Sequence, residues 1–286
     1  MSIKFFGQYL LEKNLISAEQ LIAALQVQED KNYRFGDYAR AKGFLSDADV
    51  MKLQAEQRRT DNKIGEIAVS LGLLTEKQVE EILTMQENDH IYLGEALRQN
   101  GFISHEQLYQ ELELFRDDQR DFIAGVVSVP GEMKEQDIVK SAVDLTRKMF
   151  KRIAFVEAKP GFGEPFRGEP EENYALVTVH FHGAAEMDYV LSVTRETAIA
   201  VASGLIEEDA SGEPDDILVD SVKEFCNITC GSVMARIAKR GKRLHIEAPV
   251  EHSASGGKYE IVKGRTAARY PIVSSAGNVT LYLVEG

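Results

Sequence analysis

The chain has 286 residues, 44% of them hydrophobic and 28% charged, with two cysteines and a formal net charge of −13 at pH 7. These proportions are those of a globular protein, and the length admits two ordinary domains. The acidic balance opposes a phosphate backbone and excludes general nucleic-acid binding. No apolar run approaches the roughly 18 residues of a membrane span, and Met1-Ser2-Ile3-Lys4 leads into no signal-peptide core, so a cytoplasmic protein is expected.

The first half repeats. Glycine recurs every 29 residues, at Gly7, Gly36, Gly65 and Gly94. Seven positions after each stands Asn14, Gly43, Gly72 or Gly101, the residue types that tolerate a left-handed helix stop, followed by an apolar pair. Next come Ser17, Ser46, Thr75 and Ser104, with Gln20, Asp49, Gln78 and Gln107 three positions later. Three of these are capping boxes, and Asp49 is a near miss. A second helix follows, with one apolar column at Leu21, Val50, Val79 and Leu108 and another at Leu25, Leu83 and Leu112, broken by Gln54. Each repeat is therefore predicted as a short helix, a tight turn and a second helix. The closing Gln28, Gln57 and Gln86 give way to Phe115 in the fourth. The first glycine of each repeat requires a close backbone approach, made either by a neighbouring helix or by a ligand.

This pattern resembles the N-terminal domains of type II secretion and type IV pilus ATPases, some of which bind cyclic di-GMP through an Arg-Leu-Gly opening. Arg34-Phe35-Gly36 and Lys63-Ile64-Gly65 come nearest to that opening, whereas Phe5-Phe6-Gly7 and Tyr92-Leu93-Gly94 lack the basic residue. The resemblance spans roughly residues 4–115. It implies cyclic di-GMP as a ligand, with Arg34, Gly36, Lys63 and Gly65 as its candidate binding residues.

A charged run from Arg116 to Asp121 and Pro130-Gly131 frame a boundary, with Phe122–Val127 as an edge strand or packing arm. The expected domains are residues 1–117, a linker over 118–131 and a second domain over 132–286. Within the latter, Ile138, Ala142, Leu145 and Met149 form the stripe of an amphipathic helix over Lys134–Phe150. Tyr174–Phe181 and Asp188–Val193 read as a hairpin, and Thr194 caps a short helix through Leu205. A long helix runs from Asp215 to Lys239, its basic end Lys239-Arg240-Gly241-Lys242-Arg243 suiting the macrodipole. Further strands are expected over Arg243–Pro249, Tyr259–Val262, and Ala268–Val273 paired with Val279–Val284. The fold class is thus two domains, all-α repeats followed by an α+β domain with an antiparallel sheet.

Asp220, Glu224, Asn227 and Gly231 share one face of the long helix by their spacing. Cys226 and Cys230 lie on the same helix without a second Cys/His pair for zinc, and read as buried small hydrophobes. His180 and His182 alternate onto one strand face with no identifiable third ligand, and Ser253–Lys258 lacks phosphate-loop spacing and reads as a hairpin loop.

Asp220-x3-Glu224-x2-Asn227, with Gly231 and then Pro249 22 positions after Asn227, resembles the CheC/CheX/FliY phosphatases, as does the passage Tyr189–Ala198. That resemblance covers roughly residues 134–286. The second motif of CheC proteins is absent, since Asp137-x3-Ser141-x2-Asp144 has other residues, which points to the one-site CheX branch. What it implies is dephosphorylation of an aspartyl-phosphorylated, CheY-like response regulator, and a homodimer. Asn227 would orient the attacking water, Glu224 would dock the regulator, and Asp220 and Gly231 would support them. No metal or cofactor is expected on this chain, the divalent metal (Mg) being supplied by the receiver domain. The alternative is a non-catalytic docking or scaffold protein of a two-component, pilus or secretion system.

Overall fold

The computed structural model describes residues 3–60, 62–119, 127–170, 173–252 and 261–286. The chain divides into two compact units, one of the repeats (Met1–Gln57 with Asn62–Ala124) and one of the remainder (Gly125–Gly286 with Arg58–Asp61).

In the repeat unit the first helices are α1 Phe6–Glu12, α3 Phe35–Ala41, α5 Ile64–Ser70 and α7 Leu93–Gln99. The second helices are α2 Ala18–Lys31, α4 Asp47–Arg59, α6 Glu76–Asp89 and α8 His105–Asp118. The stops between them are left-handed, with φ of 54° at Asn14, 69° at Gly43, 67° at Gly72 and 70° at Gly101. Ser17, Thr75 and Ser104 make reciprocal bonds with Gln20, Gln78 and Gln107. Asp49 does the same with Ser46, at 3.0 and 3.2 Å, so the shorter carboxylate closes a fourth box.

The first glycines are crowded by their own repeats. A Cβ on Gly7, Gly36, Gly65 or Gly94 would come within 2.6–2.8 Å of Leu21, Val50, Val79 or Leu108. The second apolar column departs from expectation, because Leu25 and Leu83 are 47% and 51% exposed while Ala24, Leu53 and Ile82 are fully buried. Positions three and four along a helix share a face, and here the helix is rotated so that the third points inward.

The repeats do not stack in order. Tyr38, Leu53, Ile67 and Ile82 of repeats two and three share one core, and Tyr9, Leu10, Leu97 and Phe115 of repeats one and four share another. Two of the closing glutamines join these pairs: Gln28 donates to the Ile91 carbonyl at 2.8 Å and Gln86 to that of Tyr33 at 3.2 Å. Where glutamine is lost, Phe115 packs between Phe6 and Tyr9, at ring separations of 5.2 and 5.3 Å.

In the second unit, helix α9 (Gln136–Met149) buries Ile138, Ala142, Leu145 and Met149 completely. The chain leading into it is held from afar, the Glu285 carboxylate accepting the N–H groups of Lys134 and Glu135 at 2.8 and 2.7 Å. The helix then widens into one π-helical turn, Phe150–Ala154, closed by Phe155 at φ 55°. That turn lies directly against helix α10 (Arg195–Ile206), where a Cβ on Gly204 would stand 1.8 Å from the Ile153 carbonyl oxygen. Thr194 caps α10 as expected.

The strands are β1 Ala158–Pro160, β2 Glu164–Phe166, β3 Ala175–Gly183, β4 Met187–Val193, β5 Leu244–Ile246, β6 Val250–His252, β7 Ala267–Ser274 and β8 Gly277–Glu285. They form one sheet of order β1-β7-β8-β4-β3-β5, with β2 on β7 and β6 on β3, every pair antiparallel. The strand expected over Arg243–Pro249 is thus shortened to β5, and the separate segment β6 follows Pro249. Ile261 and Val262 are bends rather than strand, and Tyr259 with Ser253–Lys258 lie outside the described residues, as does Phe122–Val126. Helices α9, α10 and the long α11 (Asp215–Ala238) cover one sheet face, meeting Val177, Tyr189, Leu191 and Tyr270 in a single core.

Candidate functional site

Helix α11 buries Leu218, Val222, Phe225, Cys226, Val233 and Ile237 with no exposure, which fixes its rotation. Burial pushes the pKa values of Cys226 and Cys230 upward, so both remain thiols packed as hydrophobes. The opposite stripe then faces solvent. Asp220 and Glu224 are exposed, and Asn227 and Gly231 are half-buried.

The four residues of the sequence motif play unequal parts. Asn227 donates from Nδ2 to Glu224 Oε2 at 3.4 Å, a long bond that holds the carboxamide beside the carboxylate. Asp220 turns away to pair with Lys223, at 2.9 Å. Lys223 was not singled out from sequence. Its ammonium is stabilised first by the Asp220 bond against desolvation, then by the charges of Asp220 and of Glu251 on β6, and its pKa is raised. The i, i+3 spacing of Asp220 and Lys223 was a readable signal, whereas Glu251 arrives only through the pairing of β6 with β3. The surface therefore presents a carboxylate–carboxamide pair beside a neutralised Asp–Lys pair.

Arg34 and Lys63 stand exposed at the entrances of α3 and α5, their backbone N–H groups taken by Asp37 and Glu66 at 2.9 and 3.3 Å. Gly36 and Gly65 meet Val50 and Val79. The close approach at these glycines is therefore made by helix packing.

His180 is held on the other sheet face by Asp188 at 2.5 Å and Glu186 at 3.0 Å, and Asp188 also pairs with Arg265. Burial pulls its pKa down, but the bonds and charges of Asp188 and Glu186 outweigh this and leave it raised. His182 stacks between His180 and His245, at 6.3 and 5.3 Å. Among the described residues no group of three His, Cys, Asp or Glu is placed to hold a metal, and no helix is long and apolar enough to cross a membrane.

No curated protein matches the chain. Solved structures similar to it include CheX from Desulfovibrio desulfuricans (19% identity, 52% of this chain and 99% of that one, TM-score 0.47). CheX from Vibrio vulnificus is similar at 18% identity, over 52% and 98% of the two chains, with TM-score 0.46. A CheX–CheY–BeF3–Mg complex from Borrelia burgdorferi is similar at 21% identity, over 52% and 96%, with TM-score 0.42. The family model for the chemotaxis phosphatase CheX matches residues 175–272, the segment that carries Glu224, Asn227 and strands β3 to β6.

Proposed function

We propose that the second unit removes phosphate from an aspartyl-phosphorylated receiver domain of a CheY-like response regulator. The observation that carries this reading is the pairing of exposed Glu224 with half-buried Asn227 on the outer stripe of α11, within the segment matched by the CheX phosphatase model. An acyl phosphate is already activated, and the receiver brings its own lysine and a divalent ion, Mg, to stabilise the phosphoryl group in transit. What a partner must add is a water held in line. The Asn227 carboxamide suits this, because it accepts from or donates to water without placing a further negative charge beside the phosphoryl group. Glu224 is the docking group, its carboxylate pairing with the receiver lysine. The Asp220–Lys223 pair leaves Glu224 as the uncompensated carboxylate of that stripe.

The test is the decay of a panel of phosphorylated receivers with and without the full chain. Accelerated loss of phosphate from at least one receiver is expected. Tight binding of a receiver without acceleration would establish the docking-module alternative instead.

A further inference from the structure

Six glycines lie inside the described helices, and five have a reason internal to the fold. A Cβ on Gly7, Gly36, Gly65 or Gly94 would strike the second helix of its own repeat, and one on Gly204 would strike the Ile153 carbonyl. Gly231 differs. Among the described residues nothing lies within 4 Å of where its Cβ would stand, and its φ is not left-handed. Glycine in mid-helix is destabilising relative to alanine, since it orders more backbone freedom and adds no packing. Neither the backbone nor any neighbour among the described residues compensates for it.

Its position supplies an external reason. By helix geometry Gly231 lies about 6 Å along the axis from Asn227 and within about 40° of it around the helix. Asparagine is a short side chain, so a water held by Asn227 stays near the helix surface. A phosphoryl group reached by that water must be carried in by a protein surface that itself closes on α11.

We propose that Gly231 is a specificity-determining clearance residue: its bare backbone admits the receiver loops around the acyl phosphate close enough for Asn227 to align the water. This rests on the phosphatase reading above. A methyl at Gly231 would meet nothing among the described residues, and would obstruct the approach of the partner.

The experiment compares the full-length wild type with Gly231→Ala and Gly231→Leu on a phosphorylated receiver that the wild type dephosphorylates. The alanine protein is expected to melt about 2–4 °C higher, the shift for a gain in helix propensity in a domain of this size. Its kcat/KM should fall about tenfold, through KM as docking weakens and through kcat as the water loses alignment. The leucine protein should fold and lose about a hundredfold or more in kcat/KM. If Gly231→Ala raises the melting temperature while both kinetic constants stay within about twofold of wild type, the clearance role is overturned and the phosphatase reading stands. If the wild type accelerates no receiver, the phosphatase reading falls and the clearance role falls with it.

Discussion

Replacing Asn227 with alanine separates catalysis from everything else α11 does. The side chain is half-buried on the outer stripe and has one long bond, 3.4 Å to Glu224, so its removal forfeits little. Alanine gains about 0.5 kcal/mol of helix propensity over asparagine, and the melting temperature should hold or rise by about 1–2 °C. Activity should behave oppositely. Misplacing a reacting water costs on the order of a hundredfold, or about 2.7 kcal/mol in the barrier. The assay follows label lost from a phosphorylated receiver at saturating protein, alongside titration of a beryllofluoride-loaded receiver to report binding. Lost acceleration with retained binding is the expected pair of results. An Asn227→Ala protein that dephosphorylates at the wild-type rate would refute the assignment of water alignment to this carboxamide.

Four further outcomes are expected. Glu224→Ala should raise KM about tenfold and flatten its dependence on salt, since an exposed docking charge is screened by ions; an unchanged salt profile counts against a docking charge. Gly204→Ala should cost at least roughly 3 kcal/mol in urea unfolding, because the new methyl would meet a main-chain oxygen that cannot move aside, and a cost below about 1 kcal/mol would contradict the contact. Asp144 is pushed up by burial but held down more strongly by Lys148, Arg236 and Arg147, to about 2 against an ordinary 3.8. This depressed carboxylate stabilises the fold above about pH 4 by about 2 kcal/mol and loses that contribution as pH falls toward 2, so Asp144→Asn should narrow its stability deficit on acidification. Calorimetric titration of the full chain with cyclic di-GMP should stay silent at high ligand, since Val50 and Val79 already pack against Gly36 and Gly65, and a saturable isotherm abolished by the double variant Arg34→Ala, Lys63→Ala would overturn that packing reading.

Local chemistry was legible where a residue type has one main use. Asn14, Gly43, Gly72 and Gly101 marked left-handed stops, and the caps and the stripe of α9 were readable from spacing. The stripe of Asp220, Glu224, Asn227 and Gly231 was readable too, because a helix converts spacing directly into a face. Features set by distant chain were not. Strands β1 and β2 have three residues each and contain Pro160 and Pro165, so they carry no alternation and exist only by pairing with β7. The π-helical turn at Phe150–Ala154 is matched to Gly204, some fifty residues later. The choice between Leu25 and Ala24 as a core position depends on a rotation that either spacing permits. Lys223 was readable as the i, i+3 partner of Asp220, whereas the charge of Glu251 reaches it only through the pairing of β6 with β3.

The sharing of cores between repeats one and four, and between two and three, gives the helical unit a nested rather than a linear grammar. A solenoid lengthens one unit at a time because each repeat needs only its neighbour. Here a single added or deleted repeat would leave another without a mate, so the unit can change length only by twos. Nesting also orders assembly: the inner pair closes over a short connection, while the outer pair must first enclose it, at a loop entropy that grows with the enclosed chain. A break in the middle of the chain would therefore reach both cores, whereas the loss of either terminal repeat would strip its mate at the far end and spare the centre.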